Sequence, residues 1–451
     1  MTYLHSTSAP LAEKINLKDG ISYGALAFSL AFLALPLYMV LPNYYSKNLQ
    51  LSLSVVGVIL LLTRLVDALW DPILGLLIDR WYLQSKTALM RKVIVAACLM
   101  SLSFAVLLQP QKLMQYFNIG SLEFWIILAL LVCYACFSFI TITHQAWAVL
   151  LGNGHIQQSQ VTSYREAIAL LGVLVASVLS NLYGLWLNWW VFTFSLAIGV
   201  AAWYFLFLRQ QCFISTTQSP QVVIAWNGRD VFQQLSQPFK DGVFKQLLLV
   251  YAVNGVASAI AATLFLFFVQ DKLQLSTVQA SILLLLYFIS AATSMPVWLN
   301  CIKHWGLKKS WLLAMLIAVV SFIGSYFLSS GDMLAFALVC VFTGFALGAD
   351  LTAPMAMLNT HIQNSANGLE MKAQYLSWWN FVTKLNLALA AGLALPLLAV
   401  LSYVPVPAGT TASHSEQALV ALSIAYAVVP CLLKIIAMVL LIKNKSLQAI
   451  S

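Results

Sequence analysis

Charged residues are scarce in this sequence of 451 residues: 8% are Asp, Glu, Lys or Arg, whereas 61% are hydrophobic. A soluble protein typically carries about 25% charged residues, so this chain has too little polar surface to stay dispersed in water. The composition leaves no room for a sizeable soluble catalytic domain. The apolar runs are continuous, which excludes a transmembrane barrel, because its strands would alternate polar and apolar residues. The sequence therefore predicts an all-α integral membrane protein.

Cysteines and catalytic motifs are also sparse. The seven cysteines lie mostly inside apolar runs, where they act as small hydrophobic residues and not as a disulfide framework. Cys133 and Cys136 have CxxC spacing without a thioredoxin-like context. There is no HxxxxD, DxD or HExxH motif, which argues against a membrane-bound glycosyl or acyl transferase. We expect no enzymatic activity and no cofactor.

Twelve apolar stretches are each long enough to cross a bilayer, which takes about 20 residues. They divide into two sets of six, which predicts an N-terminal bundle over 1–208, a cytoplasmic linker over 209–242 and a C-terminal bundle over 243–451. The stretches are 22–44, 54–78, 93–109, 122–150, 166–187, 189–208, 243–269, 277–299, 310–328, 333–358, 375–402 and 417–441. Pro72 lies in the second stretch of the first set, and Pro296 lies in the second stretch of the second set. This correspondence indicates two six-helix pseudo-repeats around a midplane site.

The net charge of +9 comes from 23 Lys and Arg against 14 Asp and Glu, and its distribution predicts the orientation. With a cytoplasmic amino terminus, the opposite loops hold only Lys47, Lys112 and Lys272. The cytoplasmic segments hold Lys14, Lys18, Arg80, Lys86, Arg91, Lys92, Arg209, Arg229, Lys240, Lys245, Lys303, Lys308, Lys309, Lys372, Lys443 and Lys445. This asymmetry follows the positive-inside rule, so no nucleic-acid partner is needed to explain the charge. We expect a bacterial inner-membrane protein with both termini in the cytoplasm.

Three charged residues fall inside the second apolar stretch. Arg64, Asp67 and Asp71 are spaced i, i+3 and i+7, so a helix places them along one stripe that we expect to face the bundle. Buried charges are costly and need a partner or a function. Two carboxylates suit a hard cation such as sodium or a shared proton. Lys384 in the eleventh stretch is a candidate counter-charge; the alternative is a permanent salt bridge between two helices.

The chain resembles the glycoside-pentoside-hexuronide cation symporters of the major facilitator superfamily, typified by melibiose permease. The residues that carry the resemblance are Ser22-Tyr23-Gly24, the run from Arg64 through Asp67, Trp70 and Asp71 to Pro72, and Lys384 followed by Tyr403 and Pro405. The resemblance covers nearly the whole chain. It implies the major facilitator fold of twelve helices, and cation binding by Asp67 and Asp71 with Lys384 beside them. Thr143 joins them as a further candidate cation ligand.

The resemblance also implies a gate and a solute site. Gly75, Asp79, Arg80 and Arg91 match the loop signature that latches helix ends, while Trp147 resembles the family tryptophan that stacks on sugar, its alternative role being an interfacial anchor. The family's sugar-binding acids are replaced at Ala31 and near Thr143 or His144, so galactoside specificity does not transfer. The charged residues expected in the loops after the fourth and tenth helices are replaced by Asn153, His155, Gln157, Gln158, Asn359, Thr360, His361 and Gln363.

Further polar and aromatic residues inside the apolar stretches are candidate solute contacts. His144 either couples a proton or packs, Asp350 either meets solute or pairs with Lys384, and Arg165 beside Glu166 either holds an anionic group or closes the gate. The candidate set is Tyr23, Tyr38, Arg64, Thr143, His144, Gln145, Trp147, Arg165, Tyr251, Asn254, Asp350, Trp378, Trp379 and Asn380.

The sequence therefore predicts a monomeric, cation-coupled symporter in a lipid bilayer, driven by sodium or protons. Its cargo is a small organic solute, with a sugar or glycoside as the candidate class. The alternative is a transporter of lysolipids or other amphiphiles with the same fold. A channel fits less well, because paired internal charges and a pseudo-repeat suit alternating access.

Overall fold

The computed structural model describes residues 15–37, 41, 44–45, 49–117, 120–182, 185–214, 228–400 and 416–448. Across these ranges the regular structure is helical, with no strand. Tyr38, Tyr403 and Pro405 lie outside the described residues, as does the middle of the predicted linker.

The described ranges contain seven α-helices in the first half of the chain. They are α1 Leu17–Leu35, α2 Leu53–Gln84, α3 Lys86–Leu108, α4 Pro110–Phe117, α5 Leu122–Leu151, α6 Gly154–Leu182 and α7 Leu185–Ile214. The first half is defined here as residues 1–214, because the last of these helices extends to Ile214. Serine hydroxyls cap α2, α3 and α5 by accepting from the N–H three residues on. Ser85 ends α2 and caps α3, which makes the reversal between them tight.

The described ranges contain seven more α-helices, and the last six of them form the second half. The seven are α8 Gly228–Ser236, α9 Gly242–Phe267, α10 Thr277–Phe322, α11 Met333–Asn364, α12 Lys372–Val400, α13 Glu416–Ser423 and α14 Val429–Lys443. The second half is defined here as residues 242–451, because α9 begins at Gly242. Gly306, with φ 81° and ψ 170°, divides α10 into two segments because this left-handed backbone cannot continue a helix. The two segments correspond to two predicted stretches.

Eight helical runs within the described ranges are long and apolar enough to cross a membrane. One of them, Thr277–Phe327, contains two of the predicted stretches. Large apolar side chains such as Leu61, Phe194 and Leu338 are exposed on the outside of the helices, as expected for contact with lipid. The molecule is thus a multi-pass membrane protein, while the count of twelve spans and the six-helix repeats remain predictions.

The two halves meet along a few helices. Within the first half, α1 packs on α6 and α7, and α5 packs on α2 and α3. Within the second half, α9 packs on α12 and α14, and α10 packs on α11. Between the halves, α12 contacts α2 and α5, and α6 contacts α10 and α11. The polar side chains described below lie along these contacts.

One end of the bundle, here called the basic end, collects the ends of α2, α5 and α11 and the starts of α3, α6, α9 and α12. Cross-contacts fix this grouping: Asp79 on α2 accepts from the first residues of α12, and Gln363 on α11 bonds to the loop between α5 and α6. Lys372 lies 3.5 Å from the centroid of the Tyr82 ring. Six of the sixteen Lys and Arg residues predicted to be cytoplasmic belong to these segments, which gives this end its name: Arg80, Lys86, Arg91, Lys92, Lys245 and Lys372.

Candidate cation and solute site

Two aspartates and a lysine meet where α2 packs against α12. Asp67 and Asp71 lie one turn apart on α2, and Lys384 Nζ lies 2.8 Å from an Oδ2 atom of each. Ser138 on α5 completes the group: its Oγ donates to Asp67 Oδ1 at 2.8 Å and lies 2.8 Å from Lys384 Nζ. These four residues are the acid–lysine cluster, and they join both halves of the chain.

The acid–lysine cluster contains more acid than base. The Asp71 side chain is fully buried, Asp67 is 5% exposed and Lys384 is 21% exposed. With all three ionised, the cluster carries one uncompensated negative charge in a region where isolated charges are costly. A bound cation or proton removes that cost, and carboxylate and hydroxyl oxygens are the ligands that hard cations prefer.

Two other residues predicted for this site, Thr143 and Arg64, are placed differently from the two aspartates. Thr143 Oγ1 donates to the Phe139 carbonyl at 2.7 Å, a bond within its own helix. Arg64 is exposed, unlike the two aspartates on the same helix, so the stripe does not face the bundle as a whole. Ser138 takes the place expected for Thr143. The sequence offered no spacing signal for Ser138, which stands as an isolated hydroxyl in an apolar run.

A second buried ion pair lies within the second half. Lys434 Nζ is 2.6 Å from Asp350 Oδ2 and 2.7 Å from Asn254 Oδ1, while Trp311 Nε1 donates to Asp350 Oδ1 at 2.8 Å. The pair holds one acid and one base, and both carboxylate oxygens have partners. Asp350 and Asn254, predicted to contact solute, therefore link α9, α11 and α14 to each other. Asp350 pairs with a lysine, but the partner is Lys434 and not the expected Lys384.

A narrow cavity lies between the halves. In this conformation it is too tight for a water-sized molecule, and its walls come from α1, α5, α6 and α11: Tyr23, Gln145, Ala148, Thr162, Arg165, Met355 and Asn359. Three buried polar atoms of this lining, Thr162 Oγ1, Arg165 Nε and Asn359 Oδ1, have no hydrogen-bond partner among the described residues. Buried polar atoms normally have partners, so these three are candidate contacts for a solute.

Arg165 is already paired on one side. Its Nη1 lies 2.6 Å from Glu166 Oε1, and both side chains are 16% exposed. Glu166 therefore offsets the charge of the guanidinium, and the Nε edge is left as a hydrogen-bond donor. Such a lining suits a neutral solute with several hydroxyl groups better than a strong anion, because the Coulombic preference for an anion is largely cancelled.

Two predicted solute contacts pack inside the first half instead. His144 stacks on Tyr23 with ring centroids 4.0 Å apart, and its Nε2 lies 2.9 Å from the Tyr23 carbonyl oxygen. Trp147 is 5% exposed and packs against Trp203 and Phe207 of α7. His144 thus joins α5 to α1 as a packing residue, and Trp147 presents no ring face to the cavity in this conformation.

The second half supplies aromatic and amide groups near the cavity. Trp379 stacks on Tyr251 with ring centroids 3.7 Å apart, and the Tyr251 hydroxyl lies 2.8 Å from Thr383 Oγ1. Asn380 Nδ2 donates to Gln145 Oε1 across the two halves at 2.8 Å. Gln145 and Asn380 therefore meet between the halves, while Trp379 packs on Tyr251 within the second half. By contrast, Trp378 turns away, and its Nε1 donates to the Leu235 carbonyl.

Two of the four predicted gate residues touch the opposite half. The Asp79 carboxylate accepts from the N–H groups of Ala373 and Gln374 at 3.0 and 2.9 Å, which caps the start of α12. A Cβ on Gly75 would lie 2.3 Å from Ser377 Oγ, so the two helices approach each other at this glycine. Arg80 instead donates to Gln234 in α8, and Arg91 is exposed at the start of α3.

A comparison with protein families assigns this architecture. Residues 20–445 match the family described as "MFS/sugar transport protein". The chain belongs to this family. The resemblance read from the α2 motif and Lys384 is thereby confirmed, and the protein is a member of a transporter family with the major facilitator fold. Family membership and the apolar helices together make it an integral membrane protein.

Solved structures of transporters share this fold at low sequence identity. A bacterial homologue of the iron transporter ferroportin in an outward-facing state superimposes with a TM-score of 0.67 and 15% identity, covering 95% of this chain and 99% of that one. The human organic anion transporter MFSD10 gives 0.60 and 16%, covering 94% and 97%. FucP, a major facilitator transporter in the outward conformation, gives 0.57 and 12%, covering 93% and 98%. These likenesses establish the fold of this family member and leave its cargo open.

Proposed function

We propose that this protein is a cation-coupled transporter of a small, uncharged, hydroxyl-rich solute, with sugars and glycosides as the class to test first. The observation that carries the proposal is the acid–lysine cluster, in which two buried carboxylates share one lysine from the opposite half. The family description points the same way, since it includes sugar transport.

The coupling argument rests on competition for the two carboxylates. Lys384 Nζ lies between the carboxylates of Asp67 and Asp71. A sodium ion or a proton bound there would neutralise the same negative charge. A cation that binds there displaces the ammonium group from α2, and the contact between the halves weakens at that point. Binding of the cation and rearrangement of the halves are then parts of one equilibrium.

The solute argument rests on the narrow cavity between the halves. Thr162, Arg165 and Asn359 present a hydroxyl, a guanidinium N–H and an amide oxygen that lack partners within the described chain. Hydroxyl groups of a solute donate and accept at once, so they satisfy this mixed set. Because the cavity is closed tightly here, entry of a solute requires the halves to separate.

The coupling ion is tested by thermal unfolding of the purified protein in sodium chloride and in choline chloride at equal ionic strength. A ligand present at about 100 times its Kd stabilises the folded state by about 2.7 kcal/mol. We expect sodium to raise the Tm of the wild type, and the Asp67→Asn/Asp71→Asn double variant to lose this response. Asp350→Asn is the matched control, since it removes a buried acid outside the cluster.

Uptake into vesicles then separates the two ions and the solute classes. A panel of labelled sugars and glycosides, with a lysophospholipid as the amphiphile, is offered under an imposed sodium gradient and under an imposed proton gradient. Accumulation that persists in the Asp67→Asn/Asp71→Asn variant contradicts the coupling role. Accumulation of the lysophospholipid alone contradicts the proposed class of solute.

A further inference from the structure

Among the described contacts that link the halves at the basic end, the one made by Gln363 is unlike the others. Its side-chain Nε2 donates to the carbonyl oxygens of Val149, at 2.5 Å, and Gly152. Its Oε1 accepts from the N–H of Gly154 at 3.2 Å. A single amide near the end of α11 thus uses both its donor and its acceptor on the backbone between α5 and α6.

The amide of Gln363 binds the end of a helix, where the carbonyl groups need hydrogen-bond donors from outside the helix. The last four carbonyls of an α-helix lack partners within the helix, and α5 ends at Leu151. Gln158, from the same half, already donates to the carbonyls of Ala148, Val149 and Gly152 from a fully buried position. Gln363 provides a second donor to two of these carbonyls, and it comes from the opposite half.

The chemistry of the side chain matters at this position. A lysine or arginine donates to carbonyls but does not accept from the Gly154 N–H, and a glutamate accepts but repels the carbonyl oxygens. Glutamine does both. Gly154 itself has φ 74°, a backbone conformation that glycine adopts without strain and that directs its N–H toward the amide.

The base of α11 is held in place beside Gln363. His361 Nε2 lies 2.5 Å from Asp241 Oδ2, and the Tyr375 hydroxyl donates to the same oxygen at 3.2 Å. Asp241 also caps α9 through the N–H groups of Val243 and Phe244. These bonds join α9, α11 and α12 within the second half, so Gln363 projects from a fixed support.

We propose that Gln363 is a positioning residue for transport, an uncharged latch that holds the basic end of the two halves closed and sets how often that end opens. This inference rests on the proposed transport function, since a latch acts only in a protein whose halves separate. It replaces the ionic contact that a charged loop would supply with three hydrogen bonds to backbone groups.

The test measures opening of the basic end without any solute. Ser377→Cys places a thiol at the contact with Gly75, where the serine is fully buried, and a bulky maleimide reports its exposure. The native Cys133, fully buried in the first half, reports unfolding in the same sample. Mass spectrometry of the labelled peptides gives the ratio of the two labelling rates.

In the Ser377→Cys background, Gln363→Met keeps the size of the side chain and removes all three bonds, and Gln363→Glu keeps only the acceptor. We expect the ratio of rates to rise by roughly tenfold in both, equivalent to about 1.4 kcal/mol. Gln279→Met, which removes a glutamine that caps α10 within one half, should leave the ratio unchanged. An unchanged ratio in both Gln363 variants overturns the latch, whether or not they are less stable. A failure of sodium binding or vesicle uptake leaves this ratio unaffected and counts against the proposed function alone.

Discussion

Replacing Lys384 with methionine separates a cation site from a permanent salt bridge. The change leaves Asp67 and Asp71, both nearly fully buried, with Ser138 as their remaining partner in the cluster. Removing one partner of a buried ion pair typically costs about 3 to 5 kcal/mol, because the charge left behind is uncompensated. We expect the free energy of unfolding of Lys384→Met in choline chloride to be lower than that of the wild type by this amount. We also expect it to gain more from sodium than the wild type does, because the lysine no longer competes for the carboxylates.

Lys434→Met is the matched control for this experiment. It also leaves one buried carboxylate, that of Asp350, bonded to Trp311 alone among its contacts described above, and should cost a similar amount. Its response to sodium should equal that of the wild type, since the acid–lysine cluster is intact. The assay is thermal unfolding of each variant in the two salts. If the coupling ion is a proton, Lys384→Met is instead stabilised as the pH falls. A Lys384→Met protein that gains no more than Lys434→Met from either ion refutes the competition.

Three further predictions concern the basic end. Gly75→Ala should open this end, because its Cβ would lie 2.6 Å from the Ala373 carbonyl oxygen. Faster maleimide labelling in a Ser163→Cys background measures it, and Gly57→Ala, which meets open space on the same helix, should have no such effect. Asp79→Ala removes two capping hydrogen bonds from α12, so we expect the free energy of unfolding to fall by about 0.5 to 2 kcal/mol and maleimide labelling to become faster. Ser276→Ala, which removes the cap of α10, should lower the free energy of unfolding and leave labelling unchanged. Burial raises the pKa of Asp241, but the bond and charge of His361 and the N–H groups of α9 lower it further, so the net pKa lies below its usual value. The Asp241 contribution is therefore present above about pH 4 and is lost as the pH falls through the folded-state pKa. Asp241→Asn should lower Tm at neutral pH and reduce its acid dependence; a parallel shift at every pH contradicts this assignment.

The membrane class and the acid–lysine cluster were predictable because each leaves a strong local signal. Long apolar runs define helices in a bilayer, and a charge within such a run is rare enough to be noticed singly. Spacing by one helical turn placed Asp67 and Asp71 on one face, and Lys384 was the one cation suggested for them. The structure places all three within contact distance.

The remaining site residues depend on which helices become neighbours, and a single sequence contains little information about that. Ser138 and Thr143 are both hydroxyl residues of α5, and only the orientation of α5 relative to α2 decides that Ser138 contacts Asp67. Asp350 was assigned to solute because its partner Lys434 lies 84 residues away on a helix with no motif. Gln363 stood out only as a missing charge, although its amide forms the bonds that the charge was expected to provide.

The acid–lysine cluster and the basic end share one helix pair. Asp67, Asp71, Gly75 and Asp79 recur at every fourth residue of α2, and all four contact α12: Asp67 and Asp71 at Lys384, Gly75 at Ser377, and Asp79 at Ala373 and Gln374. A four-residue repeat keeps side chains on one face of a helix, so this stripe forms a continuous seam between the halves. A cation that displaces Lys384 loosens the seam at its middle, while the cap by Asp79 and the amide of Gln363 hold its basic end. In the proposed mechanism, loss of the lysine contact and release of the backbone bonds each favour opening of that end, and the labelling ratio under sodium and choline measures how strongly the two are linked.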